Sequence, residues 1–373
     1  MMKKHISFIL IAVLIFGYCG AGFAAGEIPD VFICQSYGKD DTAAGLEMEA
    51  AMNKKLKELG YIEGKNINFY HFYMDTQTKY KGEDNINMRA GLALEEINKI
   101  DKEVDIDLLV IFDDNAFKYV ALPLAKTKYK ILFNGMNVYP EYDDKVVDFM
   151  ETRERPGYNI SGIKERSVSE SAARLIKLIV PEAQTMVVLT NVNYEFIAQM
   201  GDELESDITD HPENYPFKLV EFCRVKSWEE YQAKTIEMDE RDDVDVVFHY
   251  CPHGQYDKNG KGIGYEEFTN FIVTHQTHKP EFVVWTVWVR MGFICGAGVD
   301  FDKVGEKTAM QVDRVLQGES VGDIPIEFPG DFNISLNLAR AQQLGIEIPF
   351  EVLGGAKEIH LEMLAYPEYK YKP

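Results

Sequence analysis

Short apolar runs alternate with segments of helical periodicity along almost the whole chain, and that rhythm leaves few architectures open. Val31 to Cys34, Ile67 to Tyr73, Leu108 to Phe112 and Ile131 to Phe133 read as strands, and helices are predicted between them over 42–59, 86–100 and 115–124. In the first of these helices Met48, Met52, Leu56 and Leu59 recur at helical spacing. Wholly apolar strands separated by helices are the pattern of a parallel sheet covered on both faces. The same alternation resumes after Pro156-Gly157, with helices over 169–179, 194–206, 228–238 and 265–277 and strands over 186–190, 217–225, 244–250 and 282–285. The segment 292–299 and a helix over 304–316 are expected to return to the first lobe. The predicted fold is α/β, with two doubly wound Rossmann-like lobes joined by a hinge of several crossovers. Lobe 1 is expected over 27–155 plus about 288–322, and lobe 2 over 156–287 plus about 323–373.

The N-terminus carries an export signal. Lys3, Lys4 and His5 precede the apolar run Ile6 to Phe16, and small residues lead to Gly22-Phe23-Ala24-Ala25, which predicts a secretory signal peptide over 1–24. The run is shorter than the ~20 residues of a membrane span. Bulky Tyr18 argues against lipid attachment at Cys19. The mature protein is therefore expected outside the cytoplasm, in a periplasm or its equivalent. With 39 basic and 61 acidic side chains the net charge is −22, which argues against nucleic acid or anionic lipid as a partner. Cys34, Cys223, Cys251 and Cys295 are widely spaced beside apolar runs, so buried free thiols are expected even though export permits disulfides.

Three further stretches carry a family likeness. In 318–356, Ile326 to Phe328 reads as a strand, Pro329-Gly330 breaks it, and Asn333 to Asn337 resumes extended structure. A short helix over 338–344 is stopped by Gly345, and Pro349 opens one more helical turn. Together with Pro156-Gly157-Tyr158-Asn159-Ile160-Ser161-Gly162 near mid-chain and Leu59-Gly60-Tyr61-Ile62-Glu63-Gly64-Lys65-Asn66 near the start, this block resembles a family of bacterial ABC-transporter substrate-binding proteins, some of whose members bind tryptophan, tyrosine or phenylalanine. The resemblance implies a periplasmic binding protein type 1-like fold, a small-molecule ligand held between the lobes, an ABC permease as partner, and a monomer with neither cofactor nor catalysis.

In open parallel sheets ligands lie beyond the C-terminal strand ends. That rule selects Ser36 and Tyr37, then Asp113, Asp114 and Asn115, then Asn137, Asn191, Asn193, Tyr194, Tyr250, Trp285 and Trp288. Tyr37, Tyr194, Tyr250, Trp285 and Trp288 are the candidate apolar walls. Asp113, Asp114, Asn137, Asn191 and Asn193 are the candidate polar anchors. Where the resembling family has a Thr/Ser-rich turn before Ala, this chain has Asp113-Asp114-Asn115-Ala116, and after its strand at 282–285 it has Thr286-Val287-Trp288 in place of the family's frequent polar or acidic residue. Two acids repel a carboxylate and attract an amine or a polyol, so the expected ligand is a small organic molecule, aromatic or amine-bearing and amino-acid-like. Asp114 and Asn115 are equally explained as the start of a helix.

Other chemistries fit less well. His249, Cys251 and His253 alternate as soft-metal ligands would on a strand, but Pro252 interrupts them. Residues 257–267 match an EF-hand loop at its first, third and sixth positions, yet Lys261 takes a ligand place and Glu267 falls one residue early. No nucleophile elbow, phosphate loop or zincin motif appears. The sequence leaves one alternative open, in which the clamp serves a membrane sensor such as a histidine kinase instead of a permease.

Overall fold

The computed structural model describes residues 28–40, 44–137, 139–165, 168–328, 330 and 332–372; the predicted signal peptide lies outside the described residues. The first lobe runs β1 (Asp30–Gln35), α1 (Ala44–Glu58), β2 (Asn68–Tyr73), α2 (Glu83–Val104), β3 (Leu108–Phe112), α3 (Asp113–Ala116), β4 (Ile131–Met136), α4 (Pro140–Asp144) and β5 (Ile160–Lys164). Its five strands are all parallel, in the order β2-β1-β3-β4-β5. Successive residues face opposite sides, so Phe32, Cys34, Leu109 and Ile111 enter one core while Val31, Ile33, Leu108 and Val110 enter the other. That double burial is why these strands read as unbroken apolar runs. The helix expected over 115–124 begins at Asp113, widens over Phe117–Ala121 and tightens over Leu122–Leu124. Pro123, which has no N–H for the helical ladder, lies in the tightened turn.

The second lobe runs α5 (Ser169–Ile179), β6 (Thr185–Asn191), α6 (Glu195–Asp210), β7 (Lys218–Val225), α7 (Trp228–Glu240), β8 (Val246–His249), α8 (Tyr265–His275), β9 (Glu281–Val284), α9 (Val287–Met291) and β10 (Cys295–Val299). After α10 (Phe301–Leu316) come β11 (Phe332–Asn337), α11 (Leu338–Gln343), α12 (Phe350–Gly355) and β12 (Glu358–His360). The sheet order is β12-β11-β10-β9-β8-β6-β7. Only the β10–β11 pairing is antiparallel. Leaving out β11 and β12, the order β7-β6-β8-β9-β10 repeats that of the first sheet, a topological repeat with no counterpart in the sequence. Ser227 caps α7 by accepting from the Glu230 N–H, and Asn337 caps α11 through the Arg340 N–H. Gly345, at φ 70°, supplies the left-handed residue after α11.

The sheets correct three boundaries. Ile160–Lys164 pairs with β4 in the first sheet, although the expected second lobe began at 156. Cys295–Val299 pairs with β9 and β11 in the second sheet, so the return to lobe 1 comes one element later, with α10 packed on α1. Close contact explains that docking: a Cβ on Gly305 would stand 2.2 Å from the Met48 carbonyl oxygen, so only glycine lets the two helices meet there. The segment 326–328 is no strand; Glu327 alone bridges Ile163, and Ile326 is bonded instead to the Arg153 carbonyl. The chain thus crosses between lobes after Lys164, after Val299 and after Glu327. Cys34, Cys223, Cys251 and Cys295 are all free and buried. Among the described residues no helix is long and apolar enough to cross a membrane.

Candidate functional site

Each sheet reverses its winding at one place, between β1 and β3 in the first lobe and between β6 and β8 in the second. The C-terminal strand ends at these switch points form a crevice in doubly wound sheets. Here the two crevices face one another. Lys118 reaches from lobe 1 to Glu195 of lobe 2 at 3.2 Å, the Tyr139 N–H donates to Glu203 at 3.0 Å, and Trp285 Nε1 donates to Glu165 at 3.3 Å. Between them lies a small cavity lined by Asn137, Glu165, Val168, Met200, Val284, Trp285 and Val299.

The backbone is bent to make this site. Asp113 (φ 72°), Cys251 (φ 47°) and Trp285 (φ 68°) all adopt left-handed conformations, each just past the end of a strand. Such residues cost on the order of 1–3 kcal/mol each and cluster where function needs them. At Trp285 the bend turns the indole toward Glu165 and places it edge-on to His253, 4.9 Å between rings. His253 in turn stacks on Phe196, and desolvation pushes its imidazole down to about 4.

The lobe 1 side is acidic. Asp113 is buried, accepts from the Asp114 N–H and Gln77, and is paired with the Tyr37 hydroxyl. Burial, and then the neighbouring Asp114, push its carboxyl up to about 7. Burial and the Asp113 charge raise the Tyr37 hydroxyl well above its ordinary value. Asp114 holds Asn137 at two points, through its N–H at 3.0 Å and its Nδ2 at 2.7 Å. Glu165, buried at the first crossover, is pushed up to about 8, first by burial and further by Asp113 and Asp114. Burial likewise raises Glu203 to about 7 and Asp143 to about 6, with Asp114 adding to the latter. A buried cation stands among these acids. Lys164 is buried, its Nζ donating to the Asn137 and Glu165 carbonyls, and desolvation lowers it to about 8. Tyr139 and Phe328 cover it with their rings, which also take Arg153 at 4.6 and 5.3 Å.

The sequence candidates divide into three groups. Asn137 and Trp285 line the cavity, and Asp113, Asp114 and Tyr37 form the acidic wall behind it. Several others support this site instead of facing it. Ser36 Oγ donates to the Phe112 carbonyl and accepts from the Ala116 N–H, and Asn115 donates to Thr76. Asn191 donates to the carbonyls of Cys251 and His253, and Asn193 to that of Gly254, so both brace the loop after β8. Tyr194 is at the rim, bonded to Tyr256 and stacked on Phe196. Two lie elsewhere. Tyr250 is buried in the lobe 2 core against Phe248, and Trp288 packs among Tyr265, Phe268 and Phe293 on the other face of that sheet. Trp288 is a core side chain because α9, which opens at Val287, carries it back over the sheet, and Tyr250 one because it directly follows β8 and turns into the lobe interior. His249 is likewise interior, held by Tyr231 and Gln276. Sequence reasoning passed over Glu165, Lys164 and Glu203, together with the apolar Val168, Met200 and Val299.

Comparison with known proteins agrees with this geometry. The sequence profile of the family described as "ABC transporter substrate binding protein" matches residues 145–360, more than half of the chain. A tyrosine-binding protein of Clostridioides difficile strain R20291 is 24% identical over 220 residues, which cover 58% of this chain and 59% of that protein's length. The ligand-free, open structure of a substrate binding protein with adhesive properties from Clostridium difficile superimposes with a TM-score of 0.68 at 20% identity, covering 89% of this chain and 99% of the other. An ABC domain from Streptococcus pneumonia in complex with L-Trp gives 0.58 at 18% identity, over 88% and 99% of the two chains. A profile match over residues 145–360, on a chain whose two doubly wound lobes meet at one crevice, places this chain in the ABC transporter substrate-binding protein family.

Proposed function

We propose that this protein is the exported solute-binding component of an ABC importer, capturing a small aromatic or amine-bearing ligand between its lobes and presenting the closed form to a permease. The observation that carries this reading is the shared cavity: Asn137 and Glu165 come from lobe 1 and its crossover, and Met200, Val284, Trp285 and Val299 come from lobe 2. A ligand there touches both lobes, and so favours the closed form by its differential affinity for it. Apolar walls with a few convergent polar groups suit a small organic molecule. The relatives named for tyrosine binding and seen with L-Trp support an aromatic body. The acids Asp113, Asp114 and Glu165 support a positive charge on it. The predicted signal peptide over 1–24 supports export.

Native mass spectrometry of the purified protein, followed by a thermal-shift screen of amino acids, amines, nucleosides and sugars, tests this reading. A ligand at a hundredfold excess over its dissociation constant adds about 2.7 kcal/mol to folding stability. At least one clear hit is expected. Silence across every class, with well-folded protein, would overturn the assignment.

A further inference from the structure

We propose that the cleft is built for a primary amine that carries no carboxylate, its ammonium held by the free oxygen of Glu165 and its apolar body laid against Trp285. This inference rests on the solute-binding reading above and narrows it to a ligand class.

Glu165 is only 7% exposed, and its backbone is fixed on both sides of the peptide, the N–H donating to the Met136 carbonyl and the carbonyl accepting from Lys164. Its side chain faces the cavity. Trp285 Nε1 meets Oε1 at 3.3 Å, and no donor among the described residues reaches Oε2. Oε2 is thus left open to the cavity, where a bound molecule can supply the missing partner. An ammonium supplies three N–H donors from one atom.

The neighbouring charges say which part of an amino acid would be unwelcome. Asp113 and Asp114 act on Glu165 with the same sign, and burial and those acids hold Glu165 protonated to about 8 until a cation arrives. Every described basic side chain nearby is already engaged. Lys164 is spent on the Asn137 and Glu165 carbonyls, Arg153 holds Glu141 through two nitrogens, and Lys118 pairs with Glu195. A ligand carboxylate would therefore enter beside Asp113 and Asp114, with each of these described cations already paired. The remaining lining, Val168, Met200, Val284 and Val299, fits an aromatic or aliphatic body.

Titration calorimetry with matched pairs that differ only in the carboxylate tests the inference: tyramine against tyrosine and tryptamine against tryptophan, on wild-type protein and on Glu165→Gln. The amine of at least one pair is expected to bind about tenfold or more tighter than its amino acid, and Glu165→Gln to lose about tenfold or more in amine affinity. Glutamine keeps the acceptor for Trp285 and the side-chain volume, and circular dichroism with an unchanged melt of the ligand-free variant confirms that it folds. If the amino acids bind as tightly as the amines, or if Glu165→Gln binds amines as well as wild type, the inference is overturned while the solute-binding reading stands. The same holds if only a sugar or nucleoside binds. If nothing in any class binds, both fall.

Discussion

Arg340 and Glu281 lie fully buried where β9 begins, opposite the cleft, and neither wants for a partner, whereas Glu165 lies buried at the cleft with half of its carboxylate unmet. The first pair is closed on itself. Arg340 directs Nε and Nη2 to Glu281, both at 2.9 Å, and its remaining donors to the carbonyls of Val273 and Gln276 and to Gln343. Glu281 accepts one more bond from the Ile294 N–H. At the cleft the acids Asp113, Asp114, Glu165, Glu203 and Asp143 outnumber the cations, and their carboxyls are pushed upward wherever a shift is resolved. Both regions bury charge, so burial alone does not mark a functional site. The mark is the charge that the folded protein leaves unanswered.

The contrast can be broken most sharply at the closed pair. Arg340→Met leaves Glu281 buried without its cation, and unfolding in denaturant should show a loss of about 3–5 kcal/mol. Adding Glu281→Met should recover much of that loss, since replacing both charges removes the stranded one. At the cleft the opposite response is expected. Asp113→Asn and Glu165→Gln should leave the melting of ligand-free protein at neutral pH unchanged or raised, because each removes a buried carboxyl that the fold disfavours in its charged form. Asparagine also tolerates the left-handed backbone of Asp113. Once a ligand is in hand, calorimetry on Asp113→Asn should show binding weaker by about 2–5 kcal/mol if that carboxylate helps hold a buried cation.

Acidity provides a subtler test. Glu165, Glu203, Asp113 and Asp143 hold their protons more tightly folded than unfolded. Their contribution to stability is complete below the ordinary carboxylate range, near pH 4. It is lost as pH rises through about 6 for Asp143, about 7 for Asp113 and Glu203, and about 8 for Glu165. Glu221 acts in the other direction. Its bond from Cys223, followed by Arg241 and Lys234, lowers it to about 2, so its contribution is present above the ordinary glutamate value and lost as pH falls toward 2. Melting of the ligand-free protein should therefore peak in mildly acidic solution and decline toward pH 8, and Glu165→Gln should flatten the upper part of that decline. The smallest effect belongs to the rim. Lys118→Ala removes an exposed ion pair and should change stability by less than about 1 kcal/mol. Its readout is a more open clamp in small-angle scattering.

The doubly wound lobes were legible because their strands are buried on both faces and so read as apolar runs. β5 was not, for reasons visible in its residues. A Cβ at Gly162 would stand 2.1 Å from the Phe133 carbonyl oxygen, so the strand needs glycine there, and Lys164 buries its stem while its tip satisfies two carbonyls. Glycine and lysine hide the strand from any count of apolar residues. Had it been recognised, the rule that found Asp113 and Asn137 would have led directly to Glu165. Trp285 and Trp288 looked equivalent in sequence, and what separates them is the left-handed turn at Trp285, which an aromatic residue gives no reason to expect.

The docking of α10 on α1 fixes an order of events during synthesis. A chain made from its N-terminus presents β1 to β5 first, but the side of α1 where the Met48 carbonyl and Ala51 meet Gly305 is covered by α10 only when residues 301–316 arrive. By then β6 to β10 are all present and can pair, since they are continuous in the chain. The later lobe can therefore assemble most of its sheet while the earlier one still shows raw apolar surface to its surroundings. A nascent chain stalled before Phe301 would display that surface indefinitely, which makes the N-terminal half the natural target for a chaperone.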